Sequence, residues 1–285
     1  TTGLANTAVG HQSLTANTTG NYNVAVGGAS LTANTTASDN TAMGYGALNA
    51  NTSGANNTGL GRLSLLSNTT ASNNTAVGYG SLRLNTTGTG QVAVGTEALI
   101  SNTTGTINTA VGHNSMHDNT TGQGNVALGR NTLFNNETAN HNVAVGYDAV
   151  FSNTTGADLV GVGHQALYNS TTASNNTAVG KNTLYACTTG ASNVAIGKDA
   201  GESLTTAVNL CAVGTNALDA CTTGVSNTGI GSGALGSVTT HFDNVAVGTG
   251  AMGSATASQC VAMGHNALTN ATANNNTAIG KSALT

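Results

Sequence analysis

A five-residue motif, Asn-Val-Ala-Val-Gly at 23–27, returns in edited form along the whole chain of 285 residues. Its closing glycine recurs every 17 residues up to Gly248, and then every 16 residues at Gly264 and Gly280. A fixed short period means that each copy is one structural unit stacked on its neighbours. We therefore expect one continuous array of about seventeen coils over 1–285. Because the chain begins and ends within a unit, we also expect it to be a segment of a longer protein or filament.

The composition argues against an ordinary globular enzyme. Charged residues make up 6% of the chain and aromatic residues 3%, there is no Pro or Trp, and the net charge is −4. This balance does not predict a nucleic-acid-binding surface, and no apolar run near the length of a membrane span is found. We find no catalytic, metal or cofactor motif, since two glycine patterns that resemble dinucleotide sites belong to the repeat itself. No catalysis, no cofactor and no membrane insertion are predicted.

The motif alternates between two kinds of side chain. Its third position is Ala or Gly in every unit, whereas the second and fourth positions hold Val, Thr or another apolar residue. Alternation with period two and many β-branched residues predict a β-strand. A second apolar column four residues after each glycine predicts a second short strand. Strand–turn–strand units with matching columns predict an all-β fold, a parallel β-solenoid or β-roll of 17-residue coils.

Both faces of the motif strand lack charged residues, so both are predicted to be buried. We expect the Ala/Gly column to face the coil interior together with the Leu column, at Ala8, Ala25, Leu14, Leu31, Leu48 and Leu82. The column at the fourth motif position would then form a seam against other chains, at Val9, Val26, Met43, Leu60, Val77, Val94, Val111 and Val145. The alternative is a single three-sided chain with valine inside and alanine exposed.

An arc of the type Asn17-Thr18-Thr19-Gly20 completes each unit. Its asparagine matches the N-glycan acceptor pattern. The same column continues as Ser170, Cys187 and Leu204, which favours a buried ladder of amides bonded from coil to coil. The ladder, or alternatively the glycan row, comprises Asn17, Asn34, Asn51, Asn68, Asn85, Asn102, Asn119 and Asn153.

The paired threonines of the arc suggest an alternative function. Regular threonine rows on a flat solenoid face can bind ice, but adjacent residues of a strand point to opposite sides, which leaves one outward row. Ice binding and a structural filament carrying N- or O-linked glycans therefore remain alternatives to the function given below.

The turn that follows each motif glycine holds five of the six Lys and Arg residues. We predict Arg62, Arg130, Lys181 and Lys198 as candidates for contact with a surface or an anionic glycan. The alternative is a solvated edge that accepts any polar residue.

The four cysteines, Cys187, Cys211, Cys221 and Cys260, are interpreted as small buried apolar residues. Cys187 and Cys221 share a column two coils apart, a separation of about 10 Å that a disulfide does not bridge.

At 23–27, 142–146, 193–197 and 244–248 the chain resembles the head repeats of trimeric autotransporter adhesins, and similar repeats of phage-type tail fibres. The resemblance implies a left-handed parallel β-roll, a homotrimer, and an extracellular, cell-surface or virion fibre that attaches or spaces. It implies self-association, with end-to-end filament formation and a host receptor or glycan as further expectations. The units are longer than the usual head repeat, and no neck, stalk, anchor or chaperone domain is present in the sequence given.

Overall fold

The computed structural model describes residues 2–285, and its chain contacts divide it into two compact units, Thr1–Asn142 and Val143–Thr285. The secondary structure consists of three-residue β-strands joined by turns and bends, with no helix among residues 2–285. The strands of the first unit are β1 (Thr7–Val9), β2 (Val24–Val26), β3 (Thr41–Met43), β4 (Thr58–Leu60), β5 (Thr75–Val77), β6 (Val92–Val94), β7 (Thr109–Val111) and β8 (Val126–Leu128). Those of the second are β9 (Val143–Val145), β10 (Val160–Val162), β11 (Thr177–Val179), β12 (Val194–Ile196), β13 (Cys211–Val213), β14 (Thr228–Ile230), β15 (Val245–Val247), β16 (Val261–Met263) and β17 (Thr277–Ile279).

Consecutive strands within each unit pair in parallel and in register, so each residue lies beside its counterpart in the next coil. Ala8 pairs with Ala25 in the first unit, and Ala178 pairs with Ala195 in the second. The register survives the two shorter coils, because Val245 pairs with Val261 and Val261 with Thr277. The predicted parallel β-solenoid is thus confirmed, and the strands keep their register across a one-residue deletion.

The motif glycine is required by the close approach of neighbouring coils. Gly27 has a φ of 127°, and a Cβ built on it would lie 2.8 Å from the carbonyl carbon of Gly44 in the next coil. An L side chain fits neither this backbone conformation nor this space. The same geometry recurs along the motif glycines, which explains why their column contains no other residue.

The predicted second strand is wrong. The Leu column lies in turns, and Leu31 and Leu48 have left-handed φ values of 48° and 51°, where a strand residue would be near −120°. Leu31 is nevertheless fully buried, and its amide donates to the Ala47 carbonyl at 3.0 Å. A column of apolar residues shows that the position is buried, but it does not show the backbone conformation there. One buried turn residue per coil therefore gives the same sequence pattern as a short strand.

Each coil has two further left-handed positions, one just before the motif asparagine and one two residues after the motif glycine. For an L residue the left-handed conformation costs about 1–2 kcal/mol. The frequent Asn, Asp and Gly residues at these positions are the types that adopt it most readily. Where these positions hold a residue other than Asn, Asp or Gly, stacking against the next coil must offset the cost of the left-handed conformation.

Ile107 provides a test of that cost. It is 71% exposed with a φ of 57°, and the coils on either side have Gly90 and Gly124 at its position. Because a β-branched residue is strained there and packs little, Ile107→Gly should raise the free energy of unfolding by about 1 kcal/mol. Denaturant unfolding measures this change. As the control, Thr104→Gly at an exposed bend without positive φ should lower stability, so a loss in both variants would refute the strain.

Candidate functional site

The outward face of the strands carries the first and third residues of each strand, and we call this face the strip. The third residue is Val, Leu, Ile or Met in every strand, and the first is Val, Thr or Cys. In β2, Ala25 is fully buried while Val24 and Val26 on either side of it are half-buried. Period-two alternation therefore sends the small residue inward and the larger ones outward. The predicted seam residues lie on this strip: Val9 and Met43 are exposed, and Val26, Leu60, Val77, Val94, Val111 and Val145 are half-buried.

The coil interior is narrow. Ala25, Leu31, Leu48 and Leu82 are fully buried, as the interior assignment requires. Ala8 and Leu14 depart from it, since Ala8 is exposed and Leu14 half-buried. Ala8 lies in β1, which pairs with β2 on one side, and Leu14 lies in the turn of the same coil, so these two residues have a covering coil in one direction.

The arc asparagines form an internal amide ladder in the first unit. Asn34 Nδ2 donates to Asn17 Oδ1 at 3.1 Å and to the Ala37 carbonyl at 3.0 Å, and Asn51 repeats this pattern on Asn34. The column from Asn17 to Asn119 is buried, and so is Asn153, whose Nδ2 donates to the Gly156 carbonyl at 2.9 Å. An amide nitrogen with two internal acceptors is not accessible to a glycosylating enzyme in the folded chain.

A second ladder was missed by sequence analysis. The first residue of the motif, for example Asn23, is buried; its Oδ1 accepts the Asn40 amide at 3.1 Å, and its Nδ2 donates to the Ala37 carbonyl at 2.8 Å. The Ala37 carbonyl oxygen thus accepts one hydrogen bond from each ladder, from Asn34 Nδ2 and from Asn23 Nδ2. The sequence feature that could have predicted this ladder is the recurrence of Asn at this position in most units, just ahead of a strand, where Asn has low propensity.

Removing one rung tests the arc ladder. Asn68 Nδ2 donates to Asn51 Oδ1 at 2.9 Å, and Asn68 Oδ1 accepts Asn85 Nδ2 at 2.9 Å. Asn68→Ala leaves buried polar atoms without partners, so we expect a loss of about 2–3 kcal/mol in the free energy of unfolding. Thr70→Ala, an exposed change two residues away, should cost less than about 0.5 kcal/mol. Equal effects of the two variants would show that the ladder contributes nothing.

From Cys187 onward in the second unit, apolar residues replace the arc asparagines, and one coil shows how. Gly201 occupies the Leu column, and Leu204 and Leu210 occupy the two Asn columns. A Cβ on Gly201 would overlap Leu204 Cδ1 and lie 3.0 Å from Leu184 Cδ2. The Leu204 side chain therefore fills the space that the missing leucine leaves, and both leucines are buried.

A double-mutant cycle tests this compensation. Gly201→Leu should overpack the coil and cost about 1–3 kcal/mol, and Leu204→Asn should cost about 2–5 kcal/mol by leaving a cavity. The double variant restores the usual pairing of residue types, so its loss should be smaller than the sum by at least about 1 kcal/mol. Unfolding free energies of the four proteins give the coupling. Strict additivity would contradict the packing account.

The threonine pairs differ from the strand geometry that sequence analysis assumed. They lie in bends, and neither member is buried: Thr35 and Thr36 are both exposed. The first member donates its hydroxyl to the next coil, as Thr18 Oγ1 does to the Thr35 carbonyl at 2.9 Å. The prediction that one threonine of each pair points inward is therefore wrong. Because the hydroxyl of the first threonine has an internal acceptor, only the hydroxyl of the second threonine in each coil is left for solvent or a glycan.

The turn after each motif glycine places its first residue outward, and we call this column the turn stripe. Arg62, Arg130, Lys181 and Lys198 all lie on it and are exposed. Lys198 Nζ contacts Asp199 Oδ2 at 2.7 Å, and this hydrogen bond raises the pKa of Lys198, which keeps the ammonium charged. The Arg62 guanidinium lies over the Tyr79 ring, with Cζ 5.7 Å from the ring centroid.

Aromatic rings also stack along the coil axis. The His117 and Phe134 rings lie 4.8 Å apart, and in the second unit Tyr168 stacks on Phe151 at 5.2 Å and on Tyr185 at 5.3 Å. Sequence analysis missed this column, although the rings recur at the 17-residue period. In-register stacking brings like residues face to face, so a ring in one coil favours a ring in the next.

All four cysteines are free thiols. Cys187, Cys221 and Cys260 are buried, and burial raises the pKa of Cys187 to about 11. Cys211 corrects the prediction that all four are buried, because it opens β13 on the half-exposed strip. It replaces the Val or Thr of other coils, which are also small residues.

Within residues 2–285, no group of three His, Cys, Asp or Glu side chains is placed to hold a metal ion. The part of the chain that the structure describes has no helix with the length and apolar character needed to cross a membrane. Comparison of the chain with models of known protein families and with curated protein sequences found no match. The resemblance to adhesin head repeats therefore stays a prediction.

Proposed function

We propose that this chain is a segment of an extracellular fibre, a rigid adhesive or spacer rod without catalytic activity, whose copies associate side by side through the strip. The observation that carries the proposal is the strip itself, which presents outward apolar side chains in every coil. Its outer column holds Val, Leu, Ile or Met throughout, with no charged or amide residue.

Several large apolar side chains of the strip are close to half exposed. Met43 and Leu128 are each 48% exposed in the first unit, and Ile196 and Met263 are 42% and 44% exposed in the second. Contiguous exposed apolar surface marks protein interaction sites. A second copy of this chain is the occupant we favour, since it presents the same apolar row at the same period.

The number of copies and the hand of the coil come from the resemblance to the head repeats of trimeric autotransporter adhesins. That resemblance favours three chains around a dry axis and a left-handed roll. An extracellular, cell-surface or virion location has the same basis. The buried alanine column supports this arrangement, because it frees the larger side chains of the strand for contact with other chains.

Charged substitutions on the strip test the association. Val179→Glu with Ile196→Glu places two carboxylates on the strip, whereas Thr189→Glu places one on the exposed arc. Burying unpaired charge is costly, so the strip variant should be monomeric while the wild type and the arc variant are trimeric by sedimentation equilibrium. Circular dichroism checks that each variant keeps its β-structure. A monomeric wild type, or dissociation of the arc variant alone, would refute the proposal.

Cys211 offers a second readout in the unmodified chain. Denatured protein should react with a thiol reagent at all four cysteines, whereas the buried Cys187, Cys221 and Cys260 should be protected in the native state. If other copies cover the strip, Cys211 is protected as well and becomes reactive in the strip variant. Rapid native reaction at Cys211 in the wild type would show that the strip is bare.

A further inference from the structure

The turn stripe has a composition that differs from the rest of the surface. Its seventeen positions contain five of the six Lys and Arg residues, four of the seven His and three of the six Tyr, and the remainder are Thr, Ser or Gly. None of the ten Asp and Glu residues lies on it, and neither does any Asn or Gln. An edge that accepted any polar residue would contain amides, because Asn is abundant in the other turns.

Backbone conformation does not account for this selection. The position immediately after the stripe is left-handed in every coil and holds Asn, Asp, Gln and Glu residues such as Glu97, Asp148 and Asp199. Left-handed geometry favours Asn and Asp at that position. The stripe residues themselves have no positive φ, and ordinary backbone geometry excludes neither amides nor carboxylates. The absence of negative charge from the stripe therefore indicates selection for what the stripe contacts.

The stripe side chains are exposed and ordered by their neighbours. In the first unit the Arg62 guanidinium stacks over Tyr79. In the second unit the Tyr147 and His164 rings stack at 5.4 Å, and the next two coils contribute Lys181 and Lys198. The Lys198 side chain remains 59% exposed while bonded to Asp199, and Lys181 forms no ion pair among residues 2–285.

We infer that the turn stripe binds a linear acidic polysaccharide, laid along the coils of one unit so that its carboxylate or sulfate groups meet the exposed stripe cations. Coils repeat at about 4.8 Å, a spacing comparable to one sugar residue of an extended chain. Aromatic rings between the cations can pack against sugar faces, as amphipathic rings do at wet interfaces. This inference deepens the proposed function by naming what an adhesive fibre would attach to.

A single file of cations suits a single-stranded polyanion better than a nucleic-acid duplex. Duplex binding proteins present a broad basic surface to two phosphate backbones, and their domains are usually strongly basic. Here the net charge is −4, and each coil offers at most one stripe cation. Charge complementarity is therefore confined to the stripe.

The experiment uses heparin, a sulfated polysaccharide with uronic acid residues, as the probe. Arg62→Gln removes a stripe cation, and Arg83→Gln removes the one Lys or Arg that lies off the stripe, so the two variants have the same net charge. Calorimetry at several salt concentrations should show weaker binding for Arg62→Gln, with the slope of log affinity against log salt smaller by about one. Arg83→Gln should match the wild type, and Lys181→Gln should behave as Arg62→Gln does.

Three results would overturn the inference: no heparin binding by the wild type at low salt, equal weakening by Arg62→Gln and Arg83→Gln, or equally tight binding of duplex DNA. Neutral dextran should not bind. Sedimentation of the same samples separates this inference from the proposed function. If the wild type is trimeric but does not bind heparin, the polysaccharide inference is wrong and self-association stands. If it is monomeric but binds heparin through the stripe, self-association is wrong and the polysaccharide inference stands.

Discussion

In-register stacking is the constraint on which the rest of the structure depends. Each residue lies beside its counterpart in the next coil, at the spacing of paired β-strands of about 4.8 Å. A residue therefore suits a position if its side chain can pack against, or hydrogen-bond to, the same residue type in the next coil. Glycine allows the closest backbone approach, asparagine can donate to and accept from another asparagine, and aromatic rings can stack. Buried charges would repel their copies, which explains why the interior contains none among the motif and arc columns.

The interior has two interchangeable ways of satisfying this constraint. In the first unit two amide ladders converge on shared carbonyl oxygens, such as that of Ala37. In the second unit Cys187, Leu204 and Cys221 occupy the arc column, where apolar contact replaces the amide-to-amide hydrogen bonds. The motif asparagines keep theirs, as Asn193 does with the Asn176 side chain and the Ala207 carbonyl. Replacing a complete set of polar partners by apolar groups can be nearly neutral, whereas breaking one rung leaves an unpaired group. The exchange at Gly201 and Leu204 shows that volume is conserved when the chemistry changes.

The outer surface is divided by residue type into parallel columns with different physical properties. The third residues of the strands form an apolar row on the strip, the second threonines of the arcs present hydroxyls, and the turn stripe carries nearly all the Lys and Arg residues. A solenoid converts one position of the repeat into one row, so each row can acquire a role without disturbing the others. The proposed self-association and the inferred polysaccharide contact use different rows, and for that reason can be tested independently.

The sequence by itself determined the motif strands, the period and the parallel register, because period-two alternation and identical columns report them directly. It left open whether valine or alanine faces the coil interior, and the structure decides this with Ala25 buried and Val26 half-buried. It misassigned the Leu column and the threonine pairs, since burial of one residue per coil does not reveal whether its backbone is extended or left-handed. It also left the role of Asn23 unseen, because a hydrogen bond between residues 17 positions apart exists only once the coils are stacked. The tertiary structure decided these features: which polar groups find partners depends on distances between coils, and no local pattern contains those distances.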